Sequence, residues 1–246
     1  MMGEADFARR LMDQAIREGD QTDHAATIAT NHLFLSRLEV ARDDPAAALP
    51  AAQALLAFAR AHDMALYAIY GEIFSSWARG RVGDPEIGLN QLRQAVASYL
   101  ALDNKNAAPT FYGLIADLEA KTDRTDSALA SIDLTLAIAG EIGERWTDSV
   151  LFRRKGEILL DRDPRNPASA EEAFRTAFAV AQQQGARSFE LQAALALANL
   201  YRPIGHAAEI HDMLAPALKG LAPTPEMPEI AEAQALLRDL APDSIA

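Results

Sequence analysis

The sequence predicts an all-α protein, a right-handed superhelical α-solenoid of about five helix-turn-helix repeats, each about 40 residues long. Half of the 246 residues are hydrophobic, with many alanines and leucines, and only 7% are aromatic. This composition favours helices over sheets. Apolar residues recur at i, i+3, i+4 and i+7 along nearly the whole chain, which is the period of an amphipathic helix. Two kinds of joint interrupt these stripes and alternate, which indicates a repeat made of two helices.

The tight joints connect the two helices of one repeat, and the looser joints separate one repeat from the next. Each kind returns once in every repeat length along the chain. The tight joints are Asp43-Asp44-Pro45, Gly83-Asp84-Pro85, Asp123-Arg124-Thr125, Asn166-Pro167 and Ile204-Gly205-His206, and the looser ones are Ala61-His62-Asp63, Asp103-Asn104-Lys105, Ile142-Gly143-Glu144 and Gln184-Gly185-Ala186.

The tight joints carry the residues that begin and end helices. Asp or Asn before a helix offers side-chain oxygens to its free N–H groups, and proline tolerates the first helical position. Gly83 is suited to the left-handed conformation that closes a helix. A phosphate-binding loop would need a glycine-rich turn ending in Lys-Ser or Lys-Thr, which is missing here. The predicted N-caps are Asp44, Asp84 and Asn166, each followed by Pro45, Pro85 or Pro167.

Taken in order as one domain over residues 1–246, the elements begin with a helix at 4–18. Its apolar stripe includes Phe7, Leu11 and Met12, and no partner helix precedes it. We expect it to be the second helix of a repeat whose first half is missing, with its stripe covered on one side only. Repeats are predicted at 23–62, 64–102, 107–142, 146–184 and 187–218, followed by a loop at 219–227 and a capping helix at 228–240.

Small residues recur where the two helices of each repeat are expected to cross. The pairs are Ser36 and Ala48, Ser76 and Gly88, Ala116 and Ala128, Gly156 and Ala170, and Ala198 with Ile210 as the exception. This series resembles the tetratricopeptide (TPR) repeat, lengthened from about 34 residues to about 40. The aromatic signature is degraded, since His32, Gly71 and Ala194 stand where the family usually has Trp. The resemblance implies that partners bind on a concave face lined by the first helices.

A narrower resemblance covers residues 145–240. The stretch LFRRKGEILLDRDPRNPASAEEAFRTAFAVAQQQGARSFELQAALALANLYRPIG, followed by EIHDMLAPAL, is similar to the C-terminal repeat region of large bacterial regulators. Those proteins join an adenylate or guanylate cyclase, or another output domain, to a signalling ATPase and then to TPR repeats. The resemblance implies a sensor or docking module in signalling. It implies no catalysis, because neither cyclase metal-binding aspartates nor a Walker motif is found in this sequence.

Charge and composition exclude several classes of partner. The net charge of −12 argues against nucleic acid and anionic membranes, which require a basic surface. There is no cysteine, and hence no disulfide or thiolate chemistry. The first twenty residues are charged throughout and lack the apolar core of a signal peptide. No apolar stretch is long enough to span a bilayer. A cytoplasmic location is the expectation that follows.

The candidate partner-binding residues are those that follow the small residue of each first helix. They are spaced one repeat length apart, with only the last interval slightly longer, and this predicts one row along the concave face. A second row lies one helical turn after the first row, and Arg153 lies one helical turn before it. The first row is Arg37, Trp77, Asp117, Glu157 and Asn199, and the second contributes Arg81 and Lys121.

Trp77 is the strongest of these candidates, because Trp is enriched at binding hot spots and its indole is expected to be exposed here. The alternative is that the ring packs against the neighbouring repeat. The basic run Arg153, Arg154 and Lys155 offers a grip on an acidic peptide, or it is one solvated helix face with a single inward member. Both alternatives stay open at this point.

Metal binding and catalysis find little support in the sequence. The joint at 161–172 faintly resembles a calcium loop, but Arg165 and Asn166 occupy positions that need a ligand and a glycine. The five histidines follow no metal-binding spacing, and no serine lies in a nucleophile elbow. We therefore expect no metal, no cofactor and no catalytic residue, although an enzyme with a pocket of converging titratable groups stays a third possibility.

Two functions remain as hypotheses. The first is a non-catalytic interaction or scaffold module that binds a peptide or partner protein in its concave groove, in bacterial signalling. The second is the sensory or autoinhibitory C-terminal part of a larger regulator, whose partners are neighbouring ATPase or cyclase domains. Whether the preceding reading frame encodes an ATPase would distinguish the two.

Overall fold

Twelve α-helices account for most of the residues that this computed structural model describes, which are 5–22, 24–103, 106–225 and 227–240. No strand occurs among them, and one isolated β-bridge joins Thr224 to Met227. The all-α class predicted from the sequence is confirmed for these residues. Residues 4, 23 and 226, which belong to predicted elements, lie outside the described residues, as do Asn104 and Lys105 of a predicted joint.

The chain divides into two compact units, one formed by Phe7–Glu144 and one that begins at Arg145. The division falls between the third and fourth predicted repeats. The helices before it are α1 (Ala5–Gly19), α2 (Ala25–Ala41), α3 (Pro45–Ala61), α4 (Ala65–Val82), α5 (Pro85–Leu100), α6 (Ala108–Lys121) and α7 (Thr125–Ile142). The helices after it are α8 (Asp148–Arg162), α9 (Ala168–Gln184), α10 (Arg187–Tyr201), α11 (Ala207–Leu218) and α12 (Pro228–Leu240), with a 3-10 turn at Arg202–Ile204.

Helices that follow each other in the N-terminal unit pack as neighbouring pairs, and the first helices also contact one another. Thus α2 packs on α3 and α4 on α5, while α4 additionally touches both α2 and α6. The second helices α3, α5 and α7 have no comparable contact with one another among the described residues. The first helices of this unit therefore lie side by side in one layer, and the second helices form the other.

The pair α4–α5 crosses at the small residues that the sequence singles out. A Cβ atom added to Gly88 would lie 2.4 Å from the Cα of Gly80 and 2.9 Å from the carbonyl oxygen of Ser76. Real Cβ atoms do not approach backbone atoms so closely, so the two backbones touch because no side chain lies between them. Gly88 therefore meets α4 between Gly80, its nearest neighbour, and the predicted Ser76, whose carbonyl oxygen is the next contact.

Aspartates in the left-handed conformation end several helices of the N-terminal unit. Their φ angles lie between 54° and 58°, a region that Asp tolerates better than most residues. After three of them the next N–H bonds to a carbonyl five residues back, from Asp44 to Glu39, from Met64 to Ala59 and from Arg124 to Glu119, at 3.0, 2.9 and 3.1 Å. The four left-handed aspartates are Asp43, Asp63, Asp103 and Asp123.

The predicted helix starts and stops are correct at two joints and wrong at two positions. The Asp44 carboxylate accepts a hydrogen bond from the N–H of Ala47, and Asp84 accepts from Glu86 and Ile87. The expected left-handed Gly83 is wrong, since its φ is −136°. The expected N-cap at Asn166 is also wrong, because α9 begins one residue later than predicted, with Pro167 at the N-cap and no side-chain cap.

In the C-terminal unit, the pair α8–α9 crosses at Gly156, and α10 lies between α8 and α12. A Cβ on Gly156 would lie 2.5 Å from the ring of Phe174, so the aromatic ring fills the space that the glycine leaves. Further along, α10, α11 and α12 share one apolar core. Its fully buried members include Leu191, Ile210, Leu214 and Ile230.

Arg187 ties the start of α10 to the end of α11. Its Nη2 lies 3.2, 2.9 and 2.8 Å from the carbonyl oxygens of Pro216, Ala217 and Lys219, in the last turn and C-cap of α11. We expect Arg187→Met, which keeps the aliphatic stem, to lower the free energy of unfolding by about 1–3 kcal/mol through the loss of charge-assisted hydrogen bonds. Urea unfolding followed by circular dichroism measures this change, and an unchanged midpoint would contradict it.

Burial lowers the pKa of His32 below 6.5, and the nearby charge of Asp20 only partly opposes this effect. The unfolded chain therefore takes up the proton at higher pH than the folded one. The stabilising contribution is complete above the unfolded pKa and is lost as the pH falls through the folded pKa. We expect His32→Asn to reduce the loss of stability as the pH falls below 6.5, measured by denaturant unfolding at several pH values; an identical slope in both proteins would contradict this assignment.

No helix within the described ranges has both the length and the apolar character needed to cross a bilayer.

Candidate functional site

The residues predicted to bind a partner fall in both units. Arg37, Trp77, Arg81, Asp117 and Lys121 belong to the N-terminal unit, where α2, α4 and α6 lie side by side. Arg153, Glu157 and Asn199 belong to the C-terminal unit.

Trp77 is buried, which corrects the expectation of an exposed indole. Only 2% of the residue is accessible, and its Nε1–H donates a hydrogen bond of 2.8 Å to the Asp117 carboxylate. The guanidinium of Arg81 lies 5.4 Å from the centre of the ring. The ring thus packs within the N-terminal unit, which is the alternative left open by the sequence, and it offers no exposed anchor to a partner.

Arg81 and Asp117 form a polar cluster with Trp77 and with Asp43 from the turn between α2 and α3. Arg81 Nη1 lies 2.7 Å from an Asp43 oxygen and 2.9 Å from an Asp117 oxygen. The Arg81 and Asp117 side chains are only 14% and 9% exposed, so the charges compensate each other in a poorly hydrated place. Because its members come from α4, α6 and the α2–α3 turn, this cluster fastens consecutive helix pairs together.

A second group of side chains on α2 and α4 remains accessible, and we call it the aromatic–arginine patch. Its members are Thr30, Phe34, Arg37, Tyr67 and Tyr70. The Phe34 residue is 48% exposed, and the Arg37 guanidinium lies 5.9 Å from the centre of its ring. The hydroxyl groups of Thr30 and Tyr67 are hydrogen-bonded at 2.8 Å, which joins the two helices.

Tyr70 connects the aromatic–arginine patch to the core. Its ring lies 5.6 Å from that of Tyr99 and 5.9 Å from that of Phe111, both of which are buried. Burial raises the pKa of the Tyr70 hydroxyl above its usual value, its hydrogen bond with Tyr99 adds to this, and the charge of Arg37 opposes it. The hydroxyl therefore stays neutral at physiological pH and acts as a hydrogen-bonding group rather than as a base.

The remaining predicted residues do not join this patch. Lys121 is exposed at the last position of α6. In the C-terminal unit, Arg153 and Arg154 both pair with Glu157, the latter at 2.9 Å, so the basic run is partly neutralised within its own helix. Asn199 is exposed and donates a 3.3 Å hydrogen bond to Glu232 of α12. Their role in partner binding stays a prediction.

The C-terminal unit holds a titratable group that the sequence did not single out. The Tyr201 hydroxyl donates to Glu171 at 2.7 Å, and Arg175 donates to the same oxygen at 2.9 Å. These bonds lower the pKa of Glu171, while burial and then the bond to Glu171 raise the pKa of Tyr201 to about 12. A neutral tyrosine and an ion-paired carboxylate are poor nucleophiles and bases, so this cluster ties α9 to α10 rather than forming a reaction centre.

No three histidine, aspartate or glutamate side chains in the described part of the chain are grouped closely enough to hold a metal ion. An open depression of about 660 Å³ lies along α9, and it is lined by residues of that helix such as Glu171, Arg175, Thr176 and Val180. These side chains mix charged, polar and apolar groups. They do not define a reaction type.

Comparison with known proteins gives no family assignment. No protein-family model matches the chain. No curated protein matches its sequence either.

The aromatic–arginine patch was not foreseen from the sequence, although one signal pointed to it. Thr30 and Tyr70 are one repeat length apart, as are Phe34 and Phe74, so the repeat period assigns these positions to the same helix faces. The candidate rows predicted from the sequence include Arg37 of this patch but not Thr30, Phe34, Tyr67 or Tyr70.

Proposed function

We propose that this chain is a non-catalytic protein-interaction module of the TPR type, arranged as a right-handed superhelical repeat, that binds a peptide or partner protein in cytoplasmic signalling. The observation that carries this proposal is the exposed aromatic ring of Phe34 beside Arg37 on a layer of adjacent first helices. A large apolar side chain that is half exposed gains free energy when a partner covers it.

The composition of the patch fits recognition of a protein segment. Tyr and Arg are enriched at the energetic centres of protein interfaces, and phenylalanine supplies apolar area. Tyr67 and Arg37 are half-buried and held in place by neighbours, so they lose little conformational freedom on binding. A partner side chain that is apolar would lie on Phe34, and a carbonyl or carboxylate group would meet the Arg37 guanidinium.

The partner can be identified by placing a photo-crosslinking amino acid at position 34 and at the control position 87. Ile87 is 55% exposed on α5, a second helix of the same unit, and therefore presents a similar apolar surface elsewhere. We expect specific crosslinks from position 34 and none from position 87. Crosslinks from position 34 to an ATPase or cyclase domain encoded beside this chain would favour the sensory or autoinhibitory function.

Once the partner is known, Phe34→Ala is expected to weaken binding by about 2 kcal/mol, a typical hot-spot loss, and to leave thermal stability unchanged. The reason is that the ring is exposed in the free protein and would be covered only in the complex. Isothermal titration of Phe34→Ala and of the control Ile87→Ala measures the difference. Equal affinities for both variants would contradict the proposed function.

A further inference from the structure

The polar groups of the aromatic–arginine patch are mainly hydrogen-bond donors. The Arg37 guanidinium has N–H donors and no acceptor. Thr30 Oγ1 and the Tyr67 hydroxyl share one hydrogen bond of 2.8 Å, which uses one of their two hydroxyl hydrogens. Neither residue makes a further hydrogen bond through its side chain within the described part of the chain. The second hydroxyl hydrogen can therefore be donated to a ligand.

The same patch offers aromatic surface, and none of its five members carries a carboxylate. Phe34 is 48% exposed, with the Arg37 guanidinium 5.9 Å from the centre of its ring, and Tyr67 and Tyr70 are half-buried. A ligand that brought its own N–H donors would bury some of them without an acceptor, which costs free energy. The surface therefore favours a ligand that combines apolar groups with hydrogen-bond acceptors.

Two kinds of protein segment bring acceptors to such a surface, and the charge of the chain distinguishes them. An acidic segment offers carboxylates, but a net charge of −12 repels an anionic partner. A proline-rich segment is uncharged. Each proline has a carbonyl group and no N–H, and the polyproline II conformation leaves its carbonyl groups without internal hydrogen bonds. Such a segment matches both the donors of the patch and the charge of the protein.

We propose that the aromatic–arginine patch binds an uncharged proline-rich segment of a partner protein in the polyproline II conformation. This inference rests on the proposed function, since it names the chemistry of the partner at the same site. A proline ring lies on the exposed ring of Phe34, one carbonyl group accepts from Arg37, and another accepts from the Thr30–Tyr67 pair. Grooves lined by aromatic side chains bind this conformation in other proteins, because it is largely preformed and loses little entropy on binding.

Fluorescence anisotropy tests this inference with the full chain and labelled, end-capped peptides. The probe is a proline oligomer of about nine residues, about 28 Å long in the polyproline II conformation. A glycine–serine oligomer of equal length is the uncharged control that retains its N–H groups, and a glutamate oligomer is the acidic control. We expect saturable binding of the proline oligomer alone. Added salt should leave this affinity nearly unchanged, because the ligand is neutral.

Substitutions locate the binding on the patch. Phe34→Ala and Arg37→Met, which keeps the aliphatic stem, should each weaken binding of the proline oligomer at least about fivefold. The double variant Thr30→Val with Tyr67→Phe removes both hydroxyl groups together. It should therefore leave thermal stability nearly unchanged and weaken binding about threefold or more. Ile87→Ala, at an exposed apolar position on α5, is the matched control and should bind like the parent protein.

Binding of the proline oligomer that none of the patch variants weakens would overturn the proposal, as would tighter binding of the glutamate oligomer or no binding of the proline oligomer. The crosslinks from position 34 separate these failures from a failure of the proposed function. A partner crosslinked there through a segment without prolines would contradict this inference and leave the proposed function intact. No specific crosslink from position 34, together with no binding of any peptide, would contradict the proposed function itself.

Discussion

Replacing Gly88 with alanine is expected to destabilise the N-terminal unit by about 1–3 kcal/mol, the usual cost of overpacking a close contact. The added Cβ would lie 2.4 Å from the Cα and 2.6 Å from the N of Gly80, which are backbone atoms that cannot rotate away. Helices α4 and α5 would have to separate, and the apolar contacts around Leu89 and Leu92 would weaken. The better helix propensity of alanine recovers at most about 1 kcal/mol of this loss.

Gly140→Ala is the matched control for this substitution. Gly140 is an exposed residue inside α7 of the same unit, and no atom lies within 4 Å of the position that its Cβ would take. Only the difference in helix propensity between glycine and alanine acts at this position. We therefore expect the free energy of unfolding to rise by about 0.5–1 kcal/mol. Urea unfolding of both variants gives the comparison. Stabilisation by both changes would show that α4 and α5 do not touch at Gly88.

The helix pairs could be predicted from the sequence because their signals are periodic and local. An apolar stripe fixes the buried face of each helix, and the crossing of Ser76 with Gly88 follows from two small residues at the repeat spacing. The turns were predicted less well. Gly83 was expected to be left-handed on its propensity alone, whereas aspartates such as Asp63 and Asp103 adopt that conformation. These aspartates were predicted to lie in the joints, but their left-handed conformation was not predicted.

The environment of the candidate site could not be predicted, because it depends on contacts between repeats. Phe34 and Phe74 occupy equivalent positions, but Phe74 is 1% exposed and packs 6.1 Å from the ring of Phe111, whereas Phe34 is 48% exposed. The position equivalent to Phe111 is Gly71, where even a Cβ would lie 2.8 Å from that of Leu56. Helices α3 and α4 lie in close contact there. No aromatic ring can therefore occupy that position and cover Phe34. The periodic sequence pattern assigns Phe34 and Phe74 to the same position, so it cannot predict that one is exposed and the other buried.

The burial of Trp77 has a similar origin. Its indole N–H needs an acceptor when it is removed from water, and that acceptor is Asp117, one repeat further along on the next first helix. Arg81 then compensates the buried carboxylate. Three residues that the sequence identified separately as binding candidates are thus partners of one another, and their main contribution is to hold neighbouring repeats together.

Replacing Asp117 with leucine is accordingly expected to lower the free energy of unfolding by about 3–5 kcal/mol, which is typical when one partner of a buried ion pair is removed. The substitution leaves the Trp77 N–H without this acceptor and takes one carboxylate partner away from Arg81. Asp117→Asn keeps an acceptor oxygen for the indole N–H, so it should lower the free energy of unfolding by less than Asp117→Leu does.

A double-mutant cycle distinguishes the interaction energy between Arg81 and Asp117 from the effect of losing side-chain volume. Arg81→Met removes the charge that Asp117→Leu would leave with Asp43 as its remaining carboxylate partner, so the double variant should be more stable than the sum of the two single losses indicates. Denaturant unfolding of the four proteins measures the coupling, which we expect to exceed about 1 kcal/mol for two charges in direct contact. Strictly additive losses would show that Arg81 and Asp117 act independently and would contradict the cluster as a fastening between repeats. Coupling of the expected size would show that the charges of these two residues stabilise the fold by pairing with each other.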